Sequence, residues 1–420
     1  MNVLKGQSRT PRRERPARPG EVLRCKQQPA VPRSFPDRPG GVRFLAMADS
    51  LETLAARCLT VGIQGLEAAP EALELVRRGV GGVILFARNV QDPEQVAGLS
   101  RALKQAAPGP LVLSIDQEGG RVQRLRGPAW TELPSMRRMG ELPGAEAEAL
   151  CREAGALLAR ELSACGLDLD YAPVVDIDTN PANPVIADRS FSRDAQRVAR
   201  LGVALGQGLE EGGVASCVKH FPGHGDTAQD SHLTLPRLPH GLERLHDVEL
   251  VPFAAAAHAG LASVMTAHVV FEAFDSLPAT LSPKALRLLR DQVGFQGCCI
   301  SDDLEMKAIA DTVGVVDAAV HAVAAGVDCL LVCHTLALQH AAIDALVAAV
   351  RSGTLSHDRL AEAAGRVARL QRFARPASAV DPARAAAACG TSDHRALAQR
   401  FNRGQPIAQS GVDPTEWRKA

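Results

Sequence analysis

Short apolar runs and amphipathic stretches alternate along this chain in a steady rhythm. Segments at 58–65, 82–87, 111–116, 168–177, 214–220, 262–268, 297–302 and 327–333 have strand length and strand composition. Helical spacing of apolar positions fills most of the gaps, at 92–106, 145–165, 191–211, 244–259, 283–292, 306–325 and 336–352. Eight strands alternating with helices over roughly 310 residues predict an α/β chain with a single TIM-like (β/α)8 barrel. A doubly wound open sheet is the second architecture, but no GxGxxG or Walker A run follows any strand, which weakens a nucleotide-binding version of it.

The pattern then breaks at the strand ends in a consistent way. Asp116, Asp176, Lys219 with His220, His268 and Asp302 all fall at or just past the C-terminal ends of expected strands. In a barrel those ends converge on one mouth, where active sites sit. Core packing does not require ionisable groups there.

Outside the rhythmic part, residues 1–46 are rich in Pro and Arg, lack periodicity and are read as a disordered extension. The barrel is expected over 47–377, with Met47 as an alternative start of translation. Residues 378–420 read as an appendix, first helical and then polar. Net charge is zero but unevenly spread: residues 1–46 carry nine Arg and two Lys against three acids, and the remainder carries 36 basic against 44 acidic residues. An acidic body argues against a nucleic-acid surface as the main purpose. The ten Cys form no CxxC pair and mostly lie in apolar runs, which suits small core residues in a reducing cytosol. No apolar stretch reaches the ~20 residues of a membrane span, and the N-terminus lacks the apolar segment of a secretory signal. A cytoplasmic, monomeric protein with no membrane or nucleic-acid partner is expected.

The densest chemistry lies in residues 219–232, Lys-His-Phe-Pro-Gly-His-Gly-Asp-Thr-Ala-Gln-Asp-Ser-His. The whole chain has seven Lys against forty Arg, so Lys219 at a strand end is hard to read as generic surface charge. Asp230 and His232 have the spacing of a carboxylate–imidazole dyad, in which the acid fixes the tautomer and raises the proton affinity of the ring. His224 and Asp226 are read as shaping the loop, since Pro222, Gly223 and Gly225 force a tight path. Ser301-Asp302-Asp303-Leu304-Glu305 ends another strand. Asp302 can point at a ligand or cap the next helix; Asp303 and Glu305 are read as caps or supports. Asp116 and an Arg of the loop in Asp-Gln-Glu-Gly-Gly-Arg-Val-Gln-Arg can hydrogen-bond sugar hydroxyls, or form a structural ion pair with each other. A metal site built from the His and Asp of residues 220–232 is a rival, disfavoured by the neighbouring Lys and by the lack of HxH or HExxH spacing.

Ile115–Arg124, Asp188-Arg189-Ser190-Phe191, Lys219–Thr227 with Asp230-Ser231-His232, and Ser301-Asp302-Asp303-Leu304 together resemble the family 3 glycoside hydrolases, in particular bacterial β-N-acetylglucosaminidases of peptidoglycan recycling. The resemblance covers about residues 47–375. It implies an exo-acting retaining enzyme without metal or organic cofactor, removing terminal N-acetylglucosamine from anhydro-muropeptides. Asp302 would be the nucleophile and His232, oriented by Asp230, the acid/base. Asp116, Arg124, Arg189, Lys219 and His220 would bind the sugar. Family 3 β-glucosidases with a second α/β domain supplying a carboxylate acid, and glycosyl phosphorylases, are the alternatives within the resemblance; a metal-dependent barrel hydrolase is the alternative outside it.

Overall fold

Eight parallel strands close on themselves in a computed structural model that describes residues 49–231, 234–402, 413 and 415. In chain order they are β1 Leu59–Gly62, β2 Gly82–Leu85, β3 Val112–Ile115, β4 Leu169–Asp170, β5 Ala215–Phe221, β6 Ser263–Thr266, β7 Cys298–Asp303 and β8 Cys329–Val332. Each pairs with its sequence neighbours, and β8 returns to β1 through Leu59 opposite Leu330 and Val61 opposite Val332. The open sheet is thereby excluded. The reading of residues 1–46 as disordered lies outside the described residues.

All eight expected strands form. The expected run 168–177 is shorter as a strand: β4 ends at Asp170, and Pro173, which has no N–H to give a ladder, follows three residues later. The chain stays beside β5 through one bridge, Val174 to Lys219.

The outer ring is α1 Leu51–Arg57, α2 Pro70–Arg78, α3 Pro93–Ala106, α4 Gly144–Ala164, α5 Ala195–Glu211, α6 Val251–Ala259, α7 Val315–Ala325, α8 Leu336–Ser352 and α9 His357–Leu370. The expected helix 306–325 is split: a short turn at Lys307–Ala310 is followed by Gly314 with φ +83°, and α7 begins after it. Neither α2 nor α9 figured among the expected helices. Both are rich in Arg and Glu, which thins their apolar stripe to a few positions such as Leu75, Val76, Leu360 and Val367.

Strands covered by helices outside and by each other inside are buried on both faces. The barrel interior is filled by Ile84, Val112, Leu169, Tyr171, Cys217, Met265, Cys298, Ile300, Cys329 and Leu331. With aromatics at 3% of the chain, Cys and aliphatic residues carry this packing. The nine described cysteines are buried and unbridged. Val367 and Leu370 of α9 join the interior cluster, and Gln371 donates to Pro110 O at 2.7 Å. α9 therefore stops the end of the barrel opposite the mouth. Two further helices, α10 Pro382–Ala388 and α11 Ser392–Asn402, dock on the ring: His394 Nδ1 lies 2.8 Å from Glu161 Oε1 of α4.

Candidate active site

Strand periodicity decides which side chains reach the mouth. Alternate residues of a barrel strand face inward, and the four side chains of one layer come from alternate strands. Val112 faces the interior of β3, so Asp116 lies on the same face four residues on. Cys217 does so in β5, so Lys219 follows it. Ile300 does so in β7, so Asp302 follows it. These three polar groups come from odd-numbered strands. Ile84, Tyr171, Met265 and Leu331, from even-numbered strands, form the apolar floor beside them. Together with Phe86, Arg124, Arg189, His220, His224, Asp303, Met306 and His334 they line a cavity open to solvent.

Regular alternation would turn His220 away from Lys219. The pairing of β5 with β6 shifts register between Val218 and Phe221, and this irregularity lets both side chains face the cavity. The Lys219–His220 peptide is cis. A matching shift occurs in β7 between Ile300 and Asp303, so that Asp302 and Asp303 both line the cavity.

The polar groups form one connected network. Lys219 Nζ lies 2.8 Å from Asp116 Oδ1 and 2.7 Å from Glu118 Oε1. Arg189 grips Glu118 with two parallel bonds, Nε to Oε2 at 2.9 Å and Nη2 to Oε1 at 2.8 Å. Arg124 Nη2 donates to Asp116 Oδ2 at 3.2 Å. Burial alone would raise the Asp116 and Glu118 carboxyls, but Lys219 and Arg124 at Asp116, and Arg189 and Lys219 at Glu118, hold both below the usual carboxylate range. These contacts in turn push the Lys219 ammonium up, against the opposite pull of burial. At neutral pH the network consists of fixed charges, suited to orienting hydroxyls rather than to moving protons.

His220 is held from behind. Its Nδ1 lies 2.6 Å from Asp176 Oδ2, and Asp176 also accepts the backbone N–H of His220 at 3.2 Å and of His224 at 2.7 Å. His224 meets Thr227 Oγ1 at 2.9 Å through Nδ1 and Ser231 Oγ at 3.0 Å through Nε2. Burial, with His220 adding to it, pushes the His224 imidazole down to about 4, so it is neutral at working pH. Gly225 passes so close to Ile177 that a Cβ there would sit 1.8 Å from the Ile177 carbonyl oxygen.

Of the residues singled out from sequence, Asp116, Arg124, Arg189, Lys219, His220 and Asp302 meet at this cavity. Ser231 lines it; Asp230 precedes Ser231 and lies beside the lining, and His232 lies outside the described residues. His268, also expected at the mouth, is fully buried against Thr280 Oγ1 at 2.8 Å and the Asp303 carbonyl at 3.0 Å, and does not line the cavity. Glu305 does not cap the helix that follows it. Its Oε1 accepts the N–H groups of His334 at 2.7 Å and Thr335 at 3.0 Å, ahead of α8. One contributor was not foreseen as a site residue, Glu118, the partner shared by Lys219 and Arg189; Asp176 was expected at the mouth, but not its role as the anchor of His220. Glu118 lies two residues past Asp116, which alternation would have placed on the same face. The structural ion pair expected between Asp116 and an Arg of that loop exists, with Arg124 as the partner. Among the described residues no group of three or more His, Cys, Asp or Glu is arranged to hold a metal ion.

The profile of the glycosyl hydrolase family 3 N-terminal domain matches residues 58–370, three quarters of the sequence. The chain belongs to glycosyl hydrolase family 3. It is accordingly a glycoside hydrolase, and its fold and sequence relatives agree. A β-hexosaminidase of Neisseria meningitidis serogroup C is 44% identical over 270 residues, 63% of this chain and 74% of that one. The family 3 β-N-acetylglucosaminidase structure from Paenibacillus sp. superimposes with a TM-score of 0.79 at 40% identity, covering 85% of this chain and 69% of that one. NagZ from Neisseria gonorrhoeae, solved with N-trifluoroacetyl-D-glucosamine, does so with 0.69 at 35% identity over 83% and 98%. No helix among the described residues is long and apolar enough to cross a membrane.

Proposed function

We propose that this family 3 hydrolase is an exo-acting, retaining β-N-acetylglucosaminidase that removes terminal N-acetylglucosamine from peptidoglycan-derived anhydro-muropeptides in the cytoplasm. The observation that carries the reading is the placement of Asp302, at the end of β7, over the same cavity as the Asp116–Lys219–Glu118–Arg189 network. The relatives named β-hexosaminidase, and the neighbour solved with an N-acylglucosamine, supply the substrate class.

In this reading Asp302 attacks the anomeric carbon while His232, as an imidazolium, gives its proton to the leaving glycosidic oxygen. The aglycone departs as an alcohol and a glycosyl ester forms on Asp302. His232, now neutral, takes a proton from water, which hydrolyses the ester and restores the carboxylate with the β configuration retained. Asp230 orients His232. Neither the imidazolium nor the neutral ring repels the Asp302 carboxylate as a second carboxylate would, and an unperturbed value of ~6.5 suits neutral pH. Asp116, Arg189, Lys219 and His220 hold the sugar hydroxyls and the ring in place, with Arg124 bracing Asp116.

The test is release of nitrophenol from the aryl β-glycosides of N-acetylglucosamine and glucose, with and without EDTA and phosphate, beside Asp302→Ala. EDTA-resistant turnover of the N-acetylglucosamine substrate alone, abolished by Asp302→Ala in a variant that melts normally, is the expected result. Preference for glucose would overturn the substrate. Loss to EDTA would overturn the metal-free mechanism, and release strictly dependent on phosphate would make the enzyme a phosphorylase.

A further inference from the structure

The buried network beneath the cavity is completed by a carboxylate from residue 413. Within residues 116–219 it comprises two carboxylates, Asp116 and Glu118, and three cations, Lys219, Arg124 and Arg189. Asp413 supplies the third carboxylate: it forms an ion pair with Arg124 Nη1 from 289 residues away in sequence. The Arg124 side chain is 1% exposed, and a buried cation short of a counter-charge is costly, so neutrality matters here.

Thr415 reaches the same guanidinium. Arg124 Nη2 donates to Thr415 Oγ1 at 2.6 Å, and that hydroxyl donates to Asp413 Oδ1 at 2.7 Å. The Thr415 N–H also donates to Asp413 Oδ1, at 2.8 Å, so the two residues meet Arg124 as one unit. With its hydrogen given to Asp413 and one lone pair taken by Arg124, the Thr415 oxygen keeps a lone pair, and Thr415 lines the cavity. Arg124 has both Nη2 hydrogens engaged, by Asp116 and Thr415, so it is more a link between Asp116 and the C-terminal residues than a free sugar-binding arm.

We propose that Asp413 and Thr415 belong to the substrate-binding site. Thr415 accepts a hydrogen bond from a sugar hydroxyl. Asp413 is a positioning residue that neutralises and fixes Arg124, and through it the sugar-facing Asp116 carboxylate. The inference rests on the glycosidase reading above and adds a part of the chain outside the matched family domain.

The experiment compares full-length Asp413→Asn, Thr415→Val and Thr415→Ser with the parent on the aryl β-N-acetylglucosaminide. Asp413→Asn is expected to raise KM about tenfold with kcat within about threefold and an unchanged melting temperature, the signature of lost binding rather than lost chemistry. The same variant leaves the network with a net positive charge, so inorganic sulfate should inhibit it more strongly than the parent. Thr415→Val should raise KM, and Thr415→Ser should restore it. Parental KM and sulfate sensitivity in Asp413→Asn and Thr415→Val would overturn the proposal. A lower KM would also overturn it, since the two residues would then compete with the sugar. Should Asp413→Asn fail to fold, the Thr415 pair decides alone. A parent inactive on this substrate would refute the glycosidase reading itself and take this inference down with it, an outcome visible before any variant is made.

Discussion

Asp170 and Asp116, both buried at one barrel end, have opposite electrostatic fates. Asp116 faces two cations and stays ionised. Asp170 accepts one backbone N–H, from Gln117 at 2.9 Å, and its Oδ2 has no partner among the described residues. Burial pushes the Asp170 carboxyl up to about 8. A carboxyl whose affinity for the proton is higher folded than unfolded favours folding while protonated. Its contribution declines as pH rises past its unfolded value near 3.8 and levels off above about 8. Asp170→Asn removes that titration. The variant should be more stable than the parent at pH 8, by an upper bound of about 5 kcal/mol, with the gap closing toward pH 4. Urea unfolding at several pH values checks this; acid loss from the depressed Asp116, Glu118 and Asp176 carboxyls is common to both proteins and cancels. The acid role of His232 is also decided at this scale. His232→Ala should slow a glycoside with a poor leaving group by a factor of about 10²–10⁴ and an activated aryl glycoside far less, because the latter needs little protonation. Equal losses on the two, measured as kcat/KM, would contradict that role.

The element that matters most is the segment leaving β5. It is fixed at its base by Asp176, which accepts two of its backbone N–H groups, and by contacts of Asp226 with Thr179 Oγ1 at 3.0 Å and His240 Nε2 at 2.6 Å. Gly225 lies against the Ile177 backbone with no room for a methyl group. Gly225→Ala must displace this segment and with it His224 and Ser231. Activity should fall at least about a hundredfold, more than the melting temperature alone would explain. Steady-state kinetics beside thermal unfolding separate the two effects. Strand identity here was legible in the sequence, because apolar runs of strand length bounded by Gly, Asp and Pro have few other uses. The redirection of His220 was not, since it depends on how β5 registers with β6, a strand more than forty residues later. Helices α2 and α9 escaped notice for a related reason: their charged faces form ion pairs, such as Arg359 with Asp328 at 2.7 Å, that no local pattern reveals.

For the molecule as a whole, the barrel closes between β1 and β8, and the family match begins at residue 58. A chain started at Met47 should therefore keep the parent's kcat, KM and melting temperature; a loss of activity would assign residues 1–46 a part in the site. The (β/α)8 architecture and the gathering of Asp116, Lys219 and Asp302 at one mouth were determined by the sequence alone. Alternating apolar and amphipathic segments can bury both faces of a parallel sheet in few ways, and strand ends in a closed barrel must converge. Only the tertiary structure decided which charges share partners. Glu118 is joined to Arg189 and Lys219, Asp176 to His220, and Arg124 to Asp413 and Thr415, in each case by residues distant in the chain. Hydrophobic periodicity records whether a position faces the interior. It carries no record of which distant charge will be waiting there, because that is set by the closure of the barrel and by where Asp413 and Thr415 meet Arg124.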